Sequence, residues 1–187
     1  MAERIRILGF AGSLRKKSYN KALLRAATEM VPENADLDVF DLEGIPLFSE
    51  DVENQPPKKV RDFKAKIRSA DAILIVTPEY NYSMPGLLKN AIDWASRPYG
   101  DNAFDGKPVA MMGASIGMMG TARAQYHLRQ TCVFINMHPV NQPEVMVAYA
   151  QEKIDDSGKV ADQKTRDKVR ELLESLVAWA MQLKGAR

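Results

Sequence analysis

The chain has 187 residues, 45% of them hydrophobic and 27% charged, with a net charge of +2 and one cysteine, Cys132. That length suits a single domain, 1–187, burying roughly 70% of its unfolded surface; the interleaved charges argue against nucleic acid as a partner, and one cysteine cannot form an intramolecular disulfide, which agrees with a reducing compartment. Charges interrupt the first ten residues where a signal peptide needs an apolar core, and the longest apolar run, "AILIV", is too short to span a bilayer, so a soluble cytoplasmic protein without membrane contact is expected.

In chain order, short β-rich runs alternate with amphipathic helical ones. "IRILGF" precedes a helix over 19–31, "LDVFDL" one over 57–69, "DAILIVT" one over 84–96, "PVAMMGAS" one over 121–133, and "EVMVAYA" one over 163–183, with Asp162 placed to cap the last. Five βα units predict an α/β fold with a parallel five-stranded sheet and helices on both faces, and the continuous apolar runs of the third and fourth strands suit strands buried on both sides. The segment 43–57, "EGIPLFSEDVENQPP", reads as a long surface connection. Ligands of such sheets bind beyond the carboxyl ends of the strands where the winding reverses. The site is therefore expected in three loops: "GSLRKKSYN", "PEYNYSMPG" and "GASIGMMGT".

The first loop joins a strand to a helix, where free N–H groups and the helix dipole favour an anion, and a phosphate is the expected guest. It lacks both the G-x-x-x-x-G-K-[ST] and the G-x-G-x-x-G spacing, and it holds no cysteine for a thiolate phosphatase. A plain surface loop capped by Ser18 leaves Ser13, Arg15 and Asn20 without a purpose. Pro78 and Pro85 bracket the second loop, with Tyr80 and Tyr82 available to cover a planar ring. In the third, Gly113, Gly117 and Gly120 permit close approach of backbone, and Thr121 can cap the helix that follows. A phosphate site, a rigid aromatic loop and a glycine loop around one cleft suit flavin mononucleotide (FMN).

"GSLRKKSYN" together with "PEYNYSMPGLLKNAIDW" resembles the NADPH-dependent FMN reductase family, the flavodoxin-like group that includes quinone, chromate and azo-dye reductases. The resemblance implies a doubly wound flavodoxin-like sheet. It implies that Ser13, Arg15, Ser18, Tyr19 and Asn20 wrap the FMN phosphate and ribityl end, that Pro78, Glu79, Tyr80 and Asn81 edge the isoalloxazine largely through backbone, and that Ser115, Ile116 and Gly117 close the other rim. NADPH or NADH is then the reductant, a quinone, metal oxyanion or similar small molecule the acceptor, and the chain a dimer or tetramer. The cofactor carries the chemistry, so no catalytic side chain is expected. A flavodoxin-type electron carrier is the competing class, although such carriers are usually strongly acidic.

Elsewhere, His127 and His138 lack partners in metal-ligand or nucleophile arrangements, Cys132 reads as a core residue, and Asp155 and Asp156 as turn formers. In "GLLKNAIDWAS", Leu87, Leu88, Ala91, Ile92, Trp94 and Ala95 cover an arc of roughly 160°, wider than one core contact needs, which predicts that the helix also meets another chain. Arg97 at its end either complements the helix C-terminus or, if a neighbouring cleft lies beside it, binds an anionic substrate. Tyr82 is the second substrate-side candidate.

Overall fold

The structure, a computed structural model, describes residues 4–186. Its elements are β1 (Ile5–Ala11), α1 (Tyr19–Thr28), β2 (Ala35–Val39), α2 (Lys58–Ser69), β3 (Ala72–Val76), α3 (Gly86–Ala95), β4 (Pro108–Ala114), α4 (Ala122–Phe134), β5 (His138–Pro139), β6 (Val145–Val147), α5 (Ala150–Lys153) and α6 (Gln163–Gly185), with a single 3-10 turn at Glu50–Val52. The strands are parallel in the order β2-β1-β3-β4-β5. This is the doubly wound, flavodoxin-like arrangement.

Alternation along the central strands decides which side each residue serves. Ala72, Leu74 and Val76 of β3 face one apolar cluster with α1 and α6, whereas Ile73 and Ile75 face the other with α2, α3 and α4. All five are fully buried. Each large aliphatic side chain so placed contributes about 1.5–3 kcal/mol of burial free energy. The continuous apolar run is thus two alternating faces, each covered by helices.

Small departures from the sequence expectation are that β2 lies two to three residues earlier than 37–42, α1 ends at Thr28 rather than at 31, and a short α5 precedes α6; two others are larger. The fifth strand comes in two pieces, β5 pairing with Pro108 and Val109 at the start of β4, and β6 with Met112 to Ala114 at its end. The run 144–150 accounts only for the second piece. The connection 43–57 is more than a surface loop: Ile45 is buried, Phe48 meets Trp94 edge to face at 5.1 Å, and the Pro46 carbonyl accepts from Trp94 Nε1 and Asn90 Nδ2, both at 2.8 Å.

That strap accounts for most of the apolar arc of α3. Leu88, Ala91, Ile92, Trp94 and Ala95 are all buried within the chain and Leu87 packs against the same cluster. Most of the wide apolar arc is covered by the sheet on one side and by the strap on the other, with Leu87 only partly buried. Other expectations hold. Asp162 accepts from the Thr165 N–H at 2.7 Å as the cap of α6, Asp155 accepts the Ser157 and Lys159 N–H groups of its own turn, and burial of Cys132 pushes its thiol up to about 12.

Candidate functional site

Because the strands are parallel, the loops after β1, β3 and β4 all leave from one edge of the sheet. The first is held inward. Gly12 N–H donates to the Val76 carbonyl at 2.9 Å, and Asn20 is buried with its amide spent on both backbone groups of Ala114, donating to the carbonyl and accepting the N–H, each at 2.9 Å. Asn20 therefore ties the start of α1 to the end of β4. Ser18 caps α1 by accepting the Lys21 N–H, and Ser13 accepts the Arg15 N–H. Among the described residues, neither hydroxyl has an acceptor for its own proton, the Tyr19 and Asn20 N–H groups of the first helical turn have no carbonyl to reach, and the exposed Arg15 guanidinium faces no carboxylate, lying 6.0 Å from the Tyr19 ring. Such a set of donors fits a phosphate monoester.

The loop after β3 is a two-residue hairpin. Tyr80 N–H donates to Ser83 O at 2.9 Å and Ser83 N–H returns to Tyr80 O at 3.0 Å, with Asn81 at φ 50° and Tyr82 at φ 68°. Asparagine tolerates that left-handed conformation; for tyrosine it costs roughly 1–2 kcal/mol. Contacts from α4 hold the turn in place. The Glu79 carboxylate accepts the N–H groups of Arg123 and Ala124 at 3.0 and 3.3 Å and Arg123 Nε at 2.5 Å, while the Arg123 guanidinium lies 3.7 Å from the centre of the Tyr82 ring. Ser83 Oγ is 3.0 Å from His127 Nδ1. Tyr80, Asn81 and Tyr82 stay exposed.

Glu79, rather than Thr121, therefore caps α4. The Thr121 side chain makes no capping bond; its hydroxyl lies buried against Gln125 Nε2 at 2.9 Å. The glycines after β4 also divide differently from the sequence reading. A Cβ on Gly113 would meet Thr121 Oγ1 and Thr77 O at 2.2 Å, and one on Gly120 would meet the Met146 carbonyl carbon at 2.8 Å, so both serve packing within the chain. Gly117 alone is open. Ser115 is anchored by its N–H to Val147 O at 3.0 Å, and Ile116, Gly117, Met118 and Met119 form an exposed shelf.

Tyr149 is a residue that sequence reasoning missed. It sits at φ 51°, exposed, with its N–H toward Gly117 O at 3.4 Å. A left-handed tyrosine beside the shelf leaves no trace in composition or periodicity. Arg97 is not at this edge. The ten residues of α3 run back across the sheet, and at their far end the guanidinium pairs with Glu50 and with Glu53, the latter at 3.0 Å, and stacks 3.9 Å over Tyr99. Those glutamates, rather than the α3 C-terminus, take its charge.

An open parallel sheet with a donor-rich first loop, an aromatic hairpin and an apolar shelf at one edge defines the class: a flavodoxin-like protein whose edge suits a flat, phosphate-tailed nucleotide. Residues 5–152 match the sequence model of the NADPH-dependent FMN reductases, and the chain belongs to that family. It is 51% identical over 186 residues to an NAD(P)H-dependent FMN reductase of Pseudomonas aeruginosa, covering 99% of this chain and 100% of the relative. It is 43% identical over 175 residues to a 2-hydroxy-1,4-benzoquinone reductase of a Burkholderia species, covering 94% and 96%. Among solved structures, the flavoenzyme NAD(P)H:(acceptor) oxidoreductase FerB of Paracoccus denitrificans superposes with a TM-score of 0.87 at 33% identity, over 95% of this chain and 98% of that one.

Proposed function

We propose that this chain is an FMN-dependent NAD(P)H oxidoreductase that delivers electrons from NADH or NADPH to quinones, metal oxyanions such as chromate, or related small acceptors. The observation that carries this reading is the uncompensated donor set of the first loop, set at the same edge as a strained aromatic hairpin and an open apolar shelf.

Bound FMN supplies the two-electron chemistry. The chain's residues bind and orient. Arg15, the Ser13 and Ser18 hydroxyls and the N–H groups of Tyr19 and Asn20 hold the phosphate, while the Asn20 amide keeps that loop fixed to β4. Backbone of Pro78, Glu79, Tyr80 and Asn81 borders one side of the ring, and Ser115, Ile116 and Gly117 the other. Tyr82 stands on the acceptor side. Arg97 can serve a substrate only at a neighbouring chain's cleft, after giving up its glutamates.

Among the described residues no helix is long and apolar enough to cross a membrane. We place the protein in the cytoplasm, as one FMN-binding domain. Self-association uses the end of α4, where Val133 and Phe134 are 82% and 79% exposed beside a cavity lined by Phe48 and Ile92. Steady-state assays test the proposal: FMN-loaded protein should oxidise NADH or NADPH faster when a benzoquinone is present, and protein freed of FMN should not. Acceptor reduction that needs a separate reductase protein would instead favour the flavodoxin-type carrier.

A further inference from the structure

Two turns at the site edge, after β4 and after β6, are joined by their backbones. Ser115 N–H donates to the Val147 carbonyl and Ala150 N–H to the Ser115 carbonyl, both at 3.0 Å, and Tyr149 N–H points to the Gly117 carbonyl at 3.4 Å. Four large apolar side chains stand out from this joint. Ile116, Met118, Met119 and Tyr149 are all exposed, Met118 the most at 71%. No aspartate, glutamate, lysine, arginine or histidine lies in 115–121 or 145–150. Folding within the chain leaves that surface uncovered, and exposed apolar side chains gathered in one place mark a binding surface. Tyr149 also holds a left-handed φ of 51°, strain of the kind that persists at ligand sites.

We infer that Met118, Met119 and Tyr149 form a subsite for an uncharged apolar substituent on the electron acceptor, and so decide which acceptors the enzyme prefers. The inference rests on the function proposed above, in which Ser115, Ile116 and Gly117 border the flavin ring. The other three side chains continue the same two turns and are not needed to hold the cofactor. With no charge on either turn, an anionic substituent desolvated there would find no counter-ion. An alkyl group gains by burial, and unbranched thioethers adapt to its shape.

The test measures kcat/KM of FMN-loaded protein for 2-alkyl-1,4-benzoquinones from ethyl to hexyl, whose reduction potentials are nearly equal. For the native protein kcat/KM should rise about twofold per added methylene, as partial burial of each implies. Met118→Gln/Met119→Gln keeps side-chain length but adds amides, and Tyr149→Asn removes the ring with a residue that tolerates the left-handed backbone. Each should flatten the series. Binding is read separately from the methyl NMR signals of the methionines. Hexylhydroquinone, the reduced product, should shift the signals that the double variant lacks and leave that of Met181, exposed on α6, in place. A flat series with native protein, an undiminished slope in the double variant, or unshifted Met118 and Met119 signals would each overturn the assignment. So would a fall in molecular mass on Met118→Glu, because a second copy of the chain would then occupy the shelf. If neither nicotinamide is oxidised, the proposed function fails, and the methionine signals still decide the subsite.

Discussion

Arg15 stands exposed with no carboxylate against it, so its charge is available to a ligand without breaking an existing pair. A charge-assisted contact to phosphate is worth about 1.5–3 kcal/mol, and Arg15→Ala should therefore weaken FMN binding roughly 10- to 100-fold in a fluorescence titration. Unchanged affinity would remove Arg15 from the phosphate site. Tyr82 offers a test of backbone strain. Both Tyr82→Gly and Tyr82→Ala delete the ring that stacks on Arg123, but only glycine enters φ 68° without cost, so the glycine variant should be the more stable by about 1 kcal/mol in urea unfolding. Equal stabilities would mean that the turn relaxes in both. At this scale the sequence shows which residue types concentrate in the loops, because motif and spacing are local. It does not show where a long side chain ends. Arg97 lies between Ser96 and Pro98 like a helix-terminal cation, yet its partners are Glu50 and Glu53, more than forty positions earlier.

Elements are legible where periodicity is strong and obscure where tertiary contacts decide. The helices at 58–69 and 86–95 fall within two residues of expectation because each buries a clear apolar stripe, and α4, at 122–134, does so although Gln125 is on its buried face and Val133 and Phe134 are exposed. The apolar arc of α3 is read correctly, but the chain itself covers most of it. A strap with one proline carbonyl bonded to Trp94 and Asn90 supplies a covering surface from within the chain. The split of the fifth strand is invisible because two and three paired residues are too few to establish a period. Glu79 shows the same limit for the site. Its backbone belongs to one loop, while its carboxylate caps a helix that begins more than forty residues later, which couples the aromatic hairpin to the shelf. Glu79→Gln keeps the shape but removes the charge facing Arg123 and the helix N-terminus. We expect a loss of about 1–3 kcal/mol in unfolding free energy, together with weaker FMN binding. Full stability with normal FMN affinity would show that the loops are held by their backbones alone.

For the whole molecule, alternating short apolar strands and amphipathic helices allow little other than a parallel sheet covered on both sides, and the sheet brings the three loops to one edge. Fold and site location are therefore legible together. Assembly is not, because the surface that remains apolar after folding depends on what the chain covers by itself. With α3 mostly covered, the exposed pair Val133 and Phe134 is the apolar surface we assign to self-association, and light scattering at micromolar concentration should report more than one chain, reduced to one by Phe134→Glu. A native protein that is already monomeric contradicts this. The central claim is that one chain accepts electrons from a nicotinamide and passes them to a small molecule. Rapid mixing of anaerobic FMN-loaded protein with NADPH tests it most directly: the visible flavin band should bleach within seconds and return when a benzoquinone is added. A band that stays unchanged with both NADPH and NADH, while a chemical reductant bleaches it, would contradict the account.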